Sequence, residues 1–426
     1  MNLLITKANV LRADYSTEIA DIAVKDDVIA AVGDIPEDFA ADYIIDGRDH
    51  FAVPGMVNAH THASMTLLRS YADDMKLMDW LNDKIWPVEA KMTEKDIRIG
   101  AQLALVEMVR TGTTAYADMY GPYLESVAEA TISAGLRGIL CRGPIGFMPG
   151  VEKILAANID LFKNYHGSGD GLISILLGVH APGTCPPDFC RKAAKASVEH
   201  GMNVHIHMSE TQGEIRQIQE QYGKRPFKYI EDTGLFVRPA IAAHCVWLND
   251  EDIAVMKAHG VTPVHNPGSN LKLASGISPV PRLLAEGIQP ALGTDGASSN
   301  NNLDMLEEVR LAALIHKGNE LDPLAVPARE ALKMGTEYGA KALWLDRVGK
   351  IEAGWKADIV LYDMRRPEWC PRHDLVSLLV YSASSSSVDT VLCNGRVLME
   401  KGELKTLDEE KIMYEANKCA MELINR

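Results

Sequence analysis

At 426 residues the chain is too long for one small core, and its size fits a single large α/β barrel with an attached domain. Hydrophobic residues make up 47% of it and charged residues 24%, as in a folded chain; the net charge of -15 excludes a nucleic-acid backbone or an anionic membrane surface as the main partner, since either would be repelled. Seven cysteines (Cys141, Cys185, Cys190, Cys245, Cys370, Cys393 and Cys419) are scattered without a Cys-x-x-Cys pair and read as reduced thiols of a cytoplasmic protein.

Residues 1–10 lack the basic flank and long apolar core of an export signal, and no later apolar run could span a bilayer. Short apolar or alternating runs at 3–11, 19–25, 28–32 and 43–46, broken by Asp-Asp, Gly-Asp and Asp-Gly, predict a small antiparallel sheet within residues 1–54. The texture then changes. Across 55–349, apolar strands at 53–58, 113–118, 137–141, 174–179, 203–207, 240–243, 262–264 and 289–293 alternate with helical stretches such as 94–111, 123–134, 190–199 and 304–316. Eight strands so spaced predict a right-handed (β/α)8 TIM-like barrel. An open doubly wound sheet is the alternative, but Gly-x-Gly-x-x-Gly is absent and polar residues sit at many strand ends rather than one. The terminal style returns over 350–406, in runs at 350–362 and 388–398 with an Asn394-Gly395 turn, and we expect both ends to build one discontinuous β-sandwich domain. Residues 407–426 carry Ile412, Met413, Ala416, Ala420, Leu423 and Ile424 on helical spacing and close the chain as a helix.

In such barrels chemistry gathers at the C-terminal strand ends. Strand one ends on His60 and His62, whose i, i+2 spacing aims two imidazoles at one point. Strand four leads into His180, strand five ends on His205, His207 and Glu210, strand six on His244, and strand eight on Asp295. Any one of these alone reads as a buried histidine or a helix cap. Jointly they supply imidazoles and a carboxylate around one rim, which suits a metal with an open position for water.

The run Pro54-Gly55-Met56-Val57-Asn58-Ala59-His60-Thr61-His62, His207 with Glu210, His244, and Asp295 in Gly-Thr-Asp-Gly together resemble the amidohydrolase superfamily. The likeness covers essentially the whole chain. It falls on the branch of mononuclear-metal aminohydrolases and chlorohydrolases, and in detail on the methylthioadenosine and S-adenosylhomocysteine deaminases. The resemblance implies one Zn2+ per subunit, held by His60, His62, His207 and Asp295, although iron or manganese fits the same donors. His180 stands where binuclear relatives carry a carbamylated lysine, which favours one metal. His205, one layer lower than His207, is a supporting or packing residue.

The reaction so implied is hydrolytic deamination at C6 of an adenine ring by metal-activated water, giving the inosine analogue and ammonia. Asp295 would take the water proton, Glu210 would protonate ring N1, and His244 would orient the attacking oxygen. For the nucleoside substrate the resemblance implies that Glu89 holds the ribose hydroxyls, His180 the purine, and Arg142 the 5′ substituent. Each has a rival: a solvated helix charge for Glu89, core packing for His180, a cap or surface ion pair for Arg142. The alternative activity is a related aminohydrolase acting on 5′-deoxyadenosine, guanine, cytosine or a triazine. The other zinc deaminase pattern, His-x-Glu with Pro-Cys-x-x-Cys, is absent. A catalytically silent relative would have lost part of the set, and no member is missing. Relatives commonly form homo-oligomers, and the same is expected here.

Overall fold

The computed structural model describes residues 2–426. Its N-terminal strands are β1 (Asn2–Leu11), β2 (Thr17–Lys25), β3 (Val28–Val32), β4 (Tyr43–Asp46) and β5 (His50–Pro54). Leu3, Ile5, Ala8 and Val10 of β1 are fully buried, the inward half of an alternating strand interrupted by a register shift between Ile5 and Ala8. The barrel strands follow: β6 (Met56–Thr61), β7 (Thr113–Tyr120), β8 (Arg137–Arg142), β9 (Ile173–Ile175), β10 (Leu177–Val179), β11 (Val204–Met208), β12 (Ala240–His244), β13 (Thr262–His265) and β14 (Ala291–Leu292). Last come β15 (Ile359–Asp363), β16 (Val388–Cys393), β17 (Arg396–Glu400) and β18 (Glu403–Leu404).

The two ends of the chain meet where β15 runs antiparallel to β5. Hydrogen bonding therefore links the terminal strands into one nine-stranded sheet, in the order β18-β17-β16-β15-β5-β1-β2-β3 with β4 beside β1; β1 pairs parallel with β4 and β5, so the sheet is mixed and not the purely antiparallel one expected. Ile5, Ile22, Ile29, Ile359, Leu361 and Leu392 share its core. The Asn394-Gly395 turn between β16 and β17 has positive φ at both residues, 52° and 73°, the backbone that a two-residue hairpin demands.

The parallel barrel strands pair in two arcs, β6-β7-β8-β9 and β10-β11-β12-β13-β14. Strand four is broken at Leu176: β9 pairs with β8, whereas β10 pairs with β11. Asn158 fills the break, its Nδ2 donating to Leu176 O at 2.8 Å and its Oδ1 accepting from Arg142 N at 2.7 Å. The eighth strand is shorter than the expected 289–293 because Pro290 has no N–H to give the ladder. Side chains close the ring instead. Asn58 accepts from Thr294 N at 3.1 Å and donates to Thr294 Oγ1 at 2.7 Å, and Asp295 N donates to His60 O at 2.9 Å.

Val57, Ala117, Ile139, Leu176, Ile241 and Val264 pack the barrel interior, so it is a core and not a pore. Arg137, at the start of β8, pairs with Asp358 at 2.8 Å, both buried, and ties the barrel to the terminal sheet. Among the described residues no helix is long and apolar enough to cross a membrane.

Candidate metal centre and substrate cavity

Strand alternation alone does not aim the histidines. Val57 and Ala59 face the barrel interior, which by period two would turn His60 away. The pairing of β6 with β7 slips between Asn58 and Thr61, and the parity changes there. His62 follows directly after β6. In β12, Ile241 faces inward while Ala240 and Ala242 pack on the helices, so His244 would also face out; its φ of 72° turns the ring back. Asp295 has a positive φ as well, 62°.

These side chains converge. His62 Nε2 lies 3.1 Å from Asp295 Oδ1, His60 Nε2 lies 3.4 Å from the same oxygen, and His207 Nε2 lies 3.4 Å from His62 Nε2. Ligand atoms of His60, His62 and His207 fall within 4.8 Å of one another, as do those of His60, His244 and Asp295. The opposite ring nitrogens are all engaged. His62 Nδ1 meets Met119 O, and His207 Nδ1 meets His180 O at 2.7 Å. A carbonyl only accepts, so both Nδ1 atoms carry the hydrogen and both Nε2 lone pairs are free for a cation. His60 Nδ1 lies 2.9 Å from His205 Nε2, whose ring continues to Cys141 Sγ at 3.6 Å. His60 Nε2 is buried without a hydrogen-bond partner, which is the mark of a ligand position.

Charge balance leads to the same place. Burial pushes His60 down to about 4 and His207 well below the usual histidine range. Burial opposes charge on His62 as well, but Asp295 beside it prevails and lifts its pKa to about 9. Burial likewise works against ionisation of Asp295, yet His60 and His62 hold its carboxyl well below the usual range. Asp295 Oδ1 therefore favours a positive charge beside it, and a divalent cation bound there would take the place of the proton on His62 Nε2. The other oxygen is fixed: Oδ2 accepts from Ser269 Oγ at 2.7 Å and Ser299 Oγ at 2.9 Å. Nitrogen and oxygen donors with buried, oriented imidazoles fit one metal ion.

The centre opens into a cavity of about 350 Å³. His62, His180, His207, Glu210, His244 and Asp295 all line it, together with Glu89. Glu210 accepts from Ser275 Oγ at 3.1 Å and faces His244 Nε2 at 3.8 Å, while His244 Nδ1 is held by Asn270 Oδ1 at 2.9 Å. His180, its Nδ1 2.8 Å from Thr184 Oγ1, is kept neutral by burial, which brings it down to about 4. Glu89 ends the helical turns Leu77–Trp80, Leu81–Ile85 and Trp86–Glu89 and accepts from Tyr120 OH at 2.6 Å; burial pushes its carboxyl up.

Arg142 stands apart from the other expected site residues. It does not line the cavity. Its guanidinium pairs with Glu125 at 2.6 Å and donates to Gly121 O at 3.1 Å, so the ion-pair and capping reading describes its placement. Conversely, four polar residues that hold the site carry no motif: Ser269, Asn270, Ser299 and Glu214. Glu214 lines the cavity, accepts from Glu210 N at 3.0 Å, and leaves Oε1 buried without a partner. Only its place four residues after Glu210, in the first turn of the helix Gln212–Tyr222, marks it in the sequence.

The amidohydrolase family model matches residues 51–398. The chain is 48% identical over 426 residues to the 5-methylthioadenosine/S-adenosylhomocysteine deaminase of Dictyoglomus thermophilum, covering 100% of both chains. A zinc-bound adenosine deaminase from Xanthomonas campestris superposes with a TM-score of 0.94 at 34% identity, covering 100% of this chain and 99% of that one. Atrazine chlorohydrolase from Arthrobacter aurescens, complexed with zinc, gives 0.91 at 25% identity over 98% of this chain and 100% of its own. Sequence, fold and the imidazole-carboxylate cluster agree: the chain belongs to the amidohydrolase family.

Proposed function

We propose that the protein is a zinc-dependent hydrolytic deaminase of the adenine ring in 5′-methylthioadenosine, S-adenosylhomocysteine and related adenosines. The observation that carries the reading is that the imidazole-carboxylate cluster opens into one cavity with Glu210, His180 and Glu89, in a chain 48% identical end to end to a relative named for that activity. His60, His62, His207 and Asp295 would hold the ion, and zinc is the metal in the zinc-bound structures that the chain resembles. A zinc ion so held would supply the acidity that makes water nucleophilic at neutral pH.

Asp295, its Oδ2 pinned by two serine hydroxyls, presents Oδ1 to the metal position beside His60 and His62, where it would accept a proton from the attacking water. His244, fixed by Asn270, orients that water, and Glu210 donates a proton to ring N1 as C6 becomes tetrahedral. Asp295 then passes its proton to the C6 amino group, the C6–N bond breaks with loss of ammonia, and the C6 hydroxyl proton returns to Glu210, leaving the oxo product. Neutral His180 hydrogen-bonds the purine. Glu89 accepts from the two ribose hydroxyls, since a carboxylate has lone pairs for both. Seven free cysteines, six of them buried, suit a reducing cytoplasm.

The test is metal analysis of the purified protein together with an ultraviolet assay of adenine-to-hypoxanthine conversion on adenosine, methylthioadenosine and S-adenosylhomocysteine. About one zinc per chain and turnover of these nucleosides, with free adenine much poorer, is the expected result. Absence of turnover on all three overturns the reading.

A further inference from the structure

Two of the three imidazoles at the metal centre lean on backbone carbonyls, His62 on Met119 O and His207 on His180 O. A carbonyl only accepts, so the backbone dictates which ring nitrogen carries the hydrogen. His60 has no such partner. Its Nδ1 faces His205 Nε2 at 2.9 Å, and a ring nitrogen of neutral histidine can donate or accept. The bond can therefore run in two directions, which differ in what they leave at the metal position. If His205 donates, the hydrogen of His60 sits on Nε2, on the side of Asp295 Oδ1 3.4 Å away, and blocks a cation. If His205 accepts, His60 Nε2 keeps its lone pair for the ion.

The accepting direction extends to a third residue. With Nε2 accepting, neutral His205 carries its hydrogen on Nδ1, which lies 3.6 Å from Cys141 Sγ. Both side chains are fully buried, and among the described residues the His205 ring has no further hydrogen-bond partner. The sulfur is what keeps that hydrogen from being stranded. Cys141 on β8 and His205 on β11 come from either side of strand four, where Gly178 stands opposite His205 in the register. A Cβ on Gly178 would come to 1.8 Å from Arg142 O and 3.2 Å from Cys141 Sγ, so the strand carries no side chain where the sulfur sits.

We propose that His205 is a positioning residue of the metal centre, which fixes the tautomer of His60 by accepting from its Nδ1 and donating in turn to Cys141 Sγ. The inference rests on the metal-centre reading above. Neither His205 nor Cys141 lines the cavity; both act on the ion through His60.

The experiment measures zinc affinity by chelator competition for the wild type, His205→Leu, His205→Gln and Cys141→Ala, with visible spectra of the cobalt-loaded forms alongside. Leucine fills space but cannot accept a hydrogen bond, whereas the amide oxygen of glutamine can. His205→Leu is expected to bind zinc about 10–100-fold more weakly than the wild type and to alter the cobalt bands. His205→Gln should stay within about threefold, with wild-type bands. Cys141→Ala should lose about three- to tenfold. Wild-type affinity in His205→Leu overturns the proposal. An equal loss in His205→Leu and His205→Gln overturns it too, because an acceptor would not rescue a merely structural role. Undiminished affinity in Cys141→Ala removes the sulfur from the chain. Should urea unfolding show that His205→Leu does not fold, His205→Gln decides alone, and a loss beyond about tenfold there overturns the proposal. A wild type that binds no zinc would instead strike the parent reading, so the two failures are distinguishable.

Discussion

Ser269 Oγ donates to Asp295 Oδ2 at 2.7 Å, joining the short helix Pro267–Lys272 after β13 to the carboxylate just past β14. The bond leaves Oδ1 as the oxygen that faces His60 and His62. Ser269→Ala removes one of two hydroxyls that orient an ionised group. Zinc affinity, measured by competition with a chelator, should fall about 10–100-fold, as when an outer partner of a metal ligand is lost.

Glu308, on the helix Met305–Glu320, ties the same two loops from behind. It accepts from Gly268 N at 3.0 Å and from Asn300 Nδ2 at 2.9 Å, fully buried. Glu308→Ala strands both donors and opens a void. A loss of about 2–4 kcal/mol in urea unfolding is expected, with lower kcat because Ser269 and Asn270 are no longer fixed.

Glu210→Gln keeps the shape of the proposed acid and removes its proton. A fall in kcat of about 10²–10⁴-fold is expected, with zinc content unchanged. Loss of zinc in this variant would assign Glu210 to the metal instead.

The pH dependence of stability has an identifiable contributor in Glu214. Burial, aided by the nearby Glu210 carboxylate, lifts its carboxyl from the ordinary 4.5 to about 7. Between those values the folded chain keeps a proton that the unfolded chain has released. This contribution is fully present below the lower value and is lost as pH rises through about 7. Glu214→Gln abolishes the dependence. Urea titrations should therefore show the variant gaining on the wild type by on the order of 2 kcal/mol as pH rises from about 5 to about 8.

Arg137 and Asp358 form a buried ion pair between barrel and terminal sheet. Asp358→Ala leaves a guanidinium uncompensated, and about 3–5 kcal/mol of stability should be lost, measured by denaturant unfolding.

Much of this was legible in the sequence because it follows from periodicity: the parallel strands, the returning terminal sheet, and histidines at strand ends. Less accessible were departures from periodicity. His60 and His244 reach the centre through a register slip and a left-handed backbone, which no two-residue pattern encodes. The break of strand four at Leu176 is filled by one side chain, Asn158, from the preceding helix Val151–Tyr165. Ser269, Ser299 and Glu214 are single polar residues in loops or first helical turns, indistinguishable in sequence from caps. Arg142 is of the same kind: its position at the end of β8 is readable, but its pairing with Glu125 is a matter of three dimensions.

The most direct measurement is anomalous diffraction from crystals of the zinc-loaded protein, collected across the zinc edge. One peak is predicted, at about 2.0–2.2 Å from the Nε2 atoms of His60, His62 and His207 and from a carboxylate oxygen of Asp295. A peak remote from Asp295, or none at that position in zinc-replete crystals, would contradict the account.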